Sequence, residues 1–272
     1  MKGNDVHLKS LSDMEDSSLL LDISNQVAVL TINRPEKRNC LTLELWRSIG
    51  RVVTELDGRD DIRVIVLTGT GASFSAGADI SEFAQVRSNP QQVEDYELSV
   101  DACCDAIAAC AKPTIAAING FCIGGGMNLA MACDFRCASE VAQLGIPAAR
   151  LSIVYGIKGT SRLFELVGLA QAKKILFTGQ RLKAAEAHKI GLVDEVCVDG
   201  LSLAQRMGRM ISDNAPLSIS GAKTILNSLC ANAAPLTPDQ VTAILDQAAS
   251  SEDYVEGRNA FSEKRKPVFT GH

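Results

Sequence analysis

The chain has 272 residues, 46% of them hydrophobic and 22% charged, enough to bury a full core at the upper size for one domain. Its 27 basic and 32 acidic residues leave a net charge of −5 without a basic stripe, which argues against nucleic acid as a partner. Apolar runs are short and interrupted, so no segment reads as a membrane span, and the first residues lack the pattern of a signal or transit peptide.

Residues 1–17 are polar and are expected to form a flexible N-terminus. Residues 19–24 and 27–32 read as two strands joined at an Asn25 turn, the second with β-branched alternation. A polar loop over 33–39 carries Arg34, Lys37 and Arg38. Thr42 is placed to cap a helix reaching to about Leu56, with Leu45, Ile49, Val52 and Val53 on one face. A strand over 64–68 runs into a small-residue turn that ends in Ala76-Gly77-Ala78-Asp79. A polar run over 82–92 leads into a helix over 93–111, which Pro113 stops.

The next strand, 113–118, ends in a turn carrying Gly120, Gly124, Gly125 and Gly126 and then a helix of small residues. Strands follow at 134–138 and 142–146. From Gly159 the pattern turns helical, over 160–167, 170–178, 184–190, 204–212, 218–229, 237–249 and 252–264, with only 193–196 as a strand. Periodicity by itself gives a mixed α/β protein. The segment 156–161 has the Lys and hydroxyls of a phosphate loop without its spacing, so a nucleotide triphosphate site is not expected. Nine cysteines with no C-x-x-C pair read as small buried hydrophobes in a reducing compartment, which points to the cytoplasm. His7, His188 and His272 are too scattered for a metal site.

Three consecutive glycines at a helix start lower helix propensity, so they suit a place where backbone adopts unusual dihedrals or a ligand meets the N–H groups. Alone they would equally serve a tight turn with nothing bound. A second small-residue turn, also following a strand, changes the odds, because two turns can each aim one N–H at one oxygen. That is the electrostatic device of acyl chemistry, in which each donor is worth about 3 kcal/mol of barrier.

Four stretches, Arg34 to Asn39, Phe74 to Asp79, Asn119 to Gly126 and Phe261 to Phe269, stand in an order that resembles the crotonase superfamily, the enoyl-CoA hydratase/isomerase family. The resemblance runs from about Leu19 to the C-terminus. It implies an α/β fold, a crotonase-like spiral of repeated ββα units with a C-terminal helical trimerisation region. The spiral core with its CoA and oxyanion site would occupy 18–200, and the helical region 201–272. The resemblance also implies an acyl-CoA substrate, the oxyanion amides at Ala78 and Gly125, and no cofactor beyond the CoA carried by the substrate. Lys37 and Arg38 would meet the CoA diphosphate, Asp79 and Ile80 the adenine and pantetheine end, and Ala76 and Gly124 the turns around the thioester. Phe261 and Lys264 would approach CoA, often from a neighbouring subunit, in a homotrimer or a dimer of trimers.

Hydratases of this family place one catalytic acid two residues after the third glycine and another after a proline further on. Here those positions hold Asn128 and Ala148. An amide can orient water but cannot take its proton, and alanine can do neither. Ordinary hydration is therefore expected to be lost, and an isomerase relying on the second acid is equally unsupported. Tyr155 is the first candidate for a substitute proton donor, although it also reads as a core or interface tyrosine, and Asp134, Glu140 and Arg150 follow it. The leading reading is an enoyl-CoA hydratase/isomerase-like lyase or isomerase of fatty acid metabolism that stabilises an enolate. Its rivals are a decarboxylase or isomerase with a non-glutamate proton donor and a catalytically silent CoA-thioester binder.

Overall fold

The computed structural model describes residues 18–230 and 234–272. The expected flexible N-terminus, 1–17, lies outside the described residues. Strands β1 (Leu19–Ser24) and β2 (Val27–Ile32) form an antiparallel hairpin that turns through Asn25 and Gln26, both at positive φ. That is the turn geometry whose twist matches the flanking strands. Helix α1 (Leu43–Asp57) follows, with the Thr42 hydroxyl accepting from Leu45 N at 3.2 Å as its cap. The Glu82 carboxylate, from far along the chain, accepts from Leu43 N at 2.7 Å and satisfies a second free amide of the same helix end.

Next the chain repeats one move three times. Strands β3 (Val64–Gly69) and β4 (Ser73–Ser75) lead to helices α2 (Phe83–Val86) and α3 (Pro90–Ala109). Strands β5 (Thr114–Ile118) and β6 (Phe121–Ile123) lead to α4 (Gly125–Ala132). Strands β7 (Phe135–Ser139) and β8 (Gln143–Gly145) lead to α5 (Ile157–Thr178). In each pair the first strand joins one sheet and the second joins another, so the chain winds as a ββα spiral. After β9 (Leu182–Lys183), α6 (Ala184–Lys189) and β10 (Glu195–Cys197), the large sheet has the order β1-β2-β3-β5-β7-β10, parallel from β2 onward. The small one runs β4-β6-β8-β9. Helices α7 (Gly200–Ser212), α8 (Pro216–Ser228), α9 (Pro238–Ala249) and α10 (Glu252–Glu263) complete the chain. The mixed α/β architecture and the helical C-terminal region are those expected.

Every residue of β3 and β5 is buried, as a parallel sheet covered on both faces requires. Alternate side chains go to opposite layers. Ile65, Leu67, Ala116 and Ile118 join Ile49 and Trp46 in the main core, whereas Val64, Val66, Ile115 and Ala117 meet Leu203 and Ala204 of α7. So the first helix beyond residue 200 covers the second face of the sheet. At the end of the chain, the buried Asp253 carboxylate accepts from Thr270 N at 2.7 Å and Gly271 N at 2.8 Å, folding the tail back across α10.

Several details differ from the expectation: the strand expected over 193–196 is β10 at Glu195–Cys197, and an unexpected strand, β9 (Leu182–Lys183), pairs with β8. Residues 73–75 and 121–123 are strands within what read as turns, because three residues are too few to display a period. Helix α3 starts at Pro90 rather than 93, with the Asn89 side chain accepting from Gln92 N at 3.0 Å. Proline favours the first helical position, where no N–H is needed. The expected helices over 160–167 and 170–178 form one span bent at Gly168, whose φ of 72° breaks the helix between them. No helix among the described residues is long and apolar enough to cross a membrane.

Candidate active site

The two small-residue turns meet. Leu41 bridges to Ala78 in parallel fashion, its N–H donating to Gly77 O at 2.8 Å and its carbonyl accepting from Asp79 N at 2.8 Å. In such a bridge the middle residue turns its own N–H away from the partner strand. Ala78 N–H therefore faces the other side, where Gly125 stands. A Cβ added at Gly125 would lie 3.3 Å from Ala78 N and 2.9 Å from Cζ2 of Trp46. One added at Gly77, where φ is 101°, would lie 3.3 Å from Gly125 N and 2.8 Å from Ile123 O. The two turns thus pack so closely that a side chain on either glycine would meet the other turn or the core. Gly125 N is also the first amide of α4 and has no acceptor within the helix.

Several buried groups hold the turns, and none of them stood out in the sequence. Trp46, 1% exposed, lies beneath Gly125 and donates from Nε1 to the Tyr96 hydroxyl at 3.2 Å. Asn39, fully buried, accepts from Arg34 N at 2.9 Å and donates from Nδ2 to Ser73 O at 2.7 Å and Thr70 O at 3.0 Å. The Ser75 hydroxyl donates to Asn39 O at 2.7 Å and accepts from Gly77 N at 3.2 Å. These bonds fasten the 34–39 loop to the first turn. Asn39 bonds Thr70 and Ser73, and Ser75 bonds Asn39, across more than thirty residues of chain, a relation that no local pattern announces.

In the same loop Arg34 Nη1 pairs with the Asp79 carboxylate at 2.9 Å and donates to Cys40 O at 2.7 Å. Asp79 also accepts from Ser81 N at 3.2 Å. Burial pushes the Asp79 carboxyl up, but hydrogen bonds from Ser81 and Arg34 outweigh it and hold the group below the usual carboxylate range. A depressed carboxyl stabilises the fold above its unfolded pKa of about 3.9, and that contribution fades as pH falls through the lower folded value. Asp79→Asn is expected to cost about 2 kcal/mol at neutral pH, the worth of a hydrogen bond to a charged group. In denaturant unfolding, the gap between variant and wild type should narrow as the buffer is taken below about pH 4. A gap independent of pH would contradict the assignment.

Ala76 N donates to Arg38 O at 3.0 Å, and Ile80 is 60% exposed just beyond. Lys37 and Arg38 are exposed on the loop, with the Arg38 guanidinium 5.7 Å and that of Arg181 5.2 Å from the centre of the Phe121 ring. Phe261, 87% exposed, and Lys264 lie at the far end of α10.

On the other side of the second glycine turn, Gly124 N donates to Gly145 O at 2.8 Å, and Gly124 O accepts from Asn128 N at 3.1 Å and from the Tyr155 hydroxyl at 3.3 Å. Asn128 is buried on α4, and its Oδ1 has no hydrogen-bond partner. A Cβ at Gly159 would lie 2.9 Å from that oxygen and 2.6 Å from Cε1 of Tyr155, so the three residues meet at one point. Burial pushes the Tyr155 phenol well above its ordinary pKa of 10.0. Ala148 opens a 3-10 turn, half-buried against the main core. Asp134 accepts from Thr114 N and from Lys223 Nζ, both at 2.7 Å, which is a structural pairing, and Glu140 and Arg150 are exposed.

A ββα spiral whose glycine turns bring two main-chain amides together is the architecture of the crotonase superfamily. Residues 22–272 match the family model described as enoyl-CoA hydratase/isomerase. The chain is 36% identical over 267 residues to the putative enoyl-CoA hydratase/isomerase YngF of Bacillus subtilis, covering 95% of this chain and 100% of that one. It is also 36% identical over 262 residues to the short-chain-enoyl-CoA hydratase of Clostridium acetobutylicum, covering 93% and 97%. A solved structure of a putative enoyl-CoA hydratase/isomerase family protein from Hyphomonas neptunium superposes with a TM-score of 0.89 at 34% identity, covering 94% of this chain and 98% of that one. The protein belongs to the enoyl-CoA hydratase/isomerase family.

Proposed function

We propose that the protein is an enzyme acting on an acyl-CoA thioester, with Ala78 N–H and Gly125 N–H donating to the thioester oxygen and stabilising the enolate formed there. The observation that carries this reading is the close approach of the two turns, which puts the two nitrogens side by side and which only glycine at 77 and 125 allows. Charge that develops on an oxygen between fixed donors costs no reorganisation, so each donor lowers the barrier by about 3 kcal/mol. Lys37, Arg38, Ala76, Asp79, Ile80 and Gly124 surround the CoA in this reading. Asp79 contributes through its main chain, because its carboxylate is engaged by Arg34. Exposed apolar side chains such as Val154, Ile157, Phe177 and Phe261 suit burial between subunits, which supports a homotrimer or dimer of trimers in which Phe261 and Lys264 reach a neighbour's substrate. The free thiols of all nine cysteines fit a reducing, cytoplasmic location, and the reaction needs no cofactor beyond the CoA of its substrate.

A second reading has its own support. Asn128 and Ala148 offer no carboxylate, and the Tyr155 phenol stays protonated at neutral pH, so these positions provide no base. Decarboxylation of a malonyl-type thioester needs none. Loss of CO2 leaves the electron pair of the broken C–C bond in the enolate, and the two amides then hold the charge until a proton arrives at the α-carbon.

Infrared spectroscopy of butyryl-CoA with an isotope-labelled carbonyl tests the shared core of both readings. The bound thioester is expected to absorb at lower frequency than in water, because two donors polarise it. A bound carbonyl at its free-solution frequency would overturn the proposal. Crotonyl-CoA hydration and CO2 release from malonyl-CoA, measured side by side, then separate the two chemistries.

A further inference from the structure

We infer that Tyr155 is a positioning residue, its phenolic hydroxyl holding the carbonyl of Gly124 and so setting the plane of the peptide whose N–H belongs to Gly125. The inference rests on the reading of Ala78 and Gly125 as an oxyanion hole. It also gives Tyr155 a different role from that of a proton donor to substrate.

The peptide unit between residues 124 and 125 is planar, so its carbonyl and its N–H point in opposite directions and turn together. Gly124 adopts φ 55° and ψ −111°, and a Cβ there would have nothing within 4 Å. A glycine in open space is the backbone position least able to resist rotation. Two donors grip the carbonyl. Asn128 N, at 3.1 Å, belongs to the first turn of the helix, and Tyr155 Oη, at 3.3 Å, arrives from thirty-one residues further along the chain. The helix bond alone ties the carbonyl to α4; the phenol ties it to the rest of the core.

The same bond acts electronically. A donor at an amide carbonyl polarises the amide and strengthens its N–H as a donor, by roughly 10–30% per bond in a chain of hydrogen bonds. Because burial keeps the phenol protonated, it remains a donor at neutral pH. The surroundings of the ring fix its aim. Tyr155 stands just before Gly156, the cap of α5, its own carbonyl accepts from the Thr160 hydroxyl at 3.2 Å, and its ring packs where Gly159 leaves room. Its proton is directed at the backbone and not at the space between the two amides.

The test uses Tyr155→Phe in the full chain, which keeps the ring and removes the hydroxyl. Binding of butyryl-CoA is expected to weaken no more than about threefold, while the low-frequency shift of its bound carbonyl shrinks. For whichever acyl-CoA the wild type converts, kcat is expected to fall about tenfold with little change in KM, equivalent to 1.4 kcal/mol of barrier. A variant that retains the full carbonyl shift overturns the inference. A wild type without any shift overturns the oxyanion reading itself, so the two failures are told apart. If the Phe variant does not fold, fluorotyrosine incorporated at position 155 keeps the shape and makes a stronger donor. A deeper shift then supports the inference, and an unchanged one overturns it.

Discussion

Glutamate introduced at both positions, Asn128→Glu with Ala148→Glu, is expected to raise crotonyl-CoA hydration by about a hundredfold or more, since a positioned acid or base contributes roughly 10²–10⁴. The substitution supplies a base for water and an acid for the α-carbon beside the thioester that, in the proposed reading, the two amides polarise. Asn128 is a suitable seat. It is buried on the helix whose first amide is the proposed donor, and its unpartnered Oδ1 marks the spot where an acidic oxygen would sit. Ala148 opens a half-buried turn and adds no bulk of its own. Either glutamate alone should give far less than its share, because groups that act as a unit are not additive. Loss of the enoyl absorbance of crotonyl-CoA is the measurement. Absence of any gain in the double variant would mean that the pocket, and not merely its acids, differs from that of a hydratase.

Gly125→Ala is expected to lower kcat/KM by about 10²–10³ for any acyl-CoA the protein converts, as much as losing one oxyanion donor, because the methyl keeps the amide but forces the two turns out of register. The new methyl would stand 3.3 Å from Ala78 N and 2.9 Å from the Trp46 ring, in the space assigned to the thioester oxygen. Alanine is a better helix former than glycine by about 1 kcal/mol, so α4 itself should not suffer. The clash with the buried Trp46 ring should lower the melting temperature somewhat, so turnover is measured where circular dichroism shows the variant still folded, and it is expected to collapse there. Turnover within threefold of wild type would remove Gly125 from the reaction.

What could be read from the residues follows from how local each feature is. The hairpin of β1 and β2 and the buried strands β3 and β5 were legible, since β-branched runs bounded by turn residues reflect interactions among near neighbours. So were the two glycine turns, because Gly124, Gly125 and Gly126 in a row at a helix start lower helix propensity and so require a reason in the backbone. Strands β4 and β6 were not, being three residues each and defined by pairing with distant segments. The supports of the site were equally hidden. Trp46 meets Tyr96, Asn39 meets Ser73, and Tyr155 meets Gly124 only after the spiral has wound. Asp79 was legible as a residue of the first turn, but its engagement by Arg34 required two loops to be brought together. The role expected of Tyr155 illustrates the same limit, since the sequence offered it as a proton donor but could not give the direction of its hydroxyl, which meets Gly124 O.

The two nitrogens at the centre of the site belong to the peptide backbone, and a point mutation cannot delete a peptide nitrogen as it can a carboxylate. In the proposed reading, the reactive side chains around this cradle can be exchanged while both donors to the thioester oxygen stay in place. Selection then has only to supply a new proton source, or a substrate that leaves without one, for a different reaction to appear. Gly77 and Gly125 are the positions least free to change, because a side chain there would meet Ile123 O at 2.8 Å or the Trp46 ring at 2.9 Å.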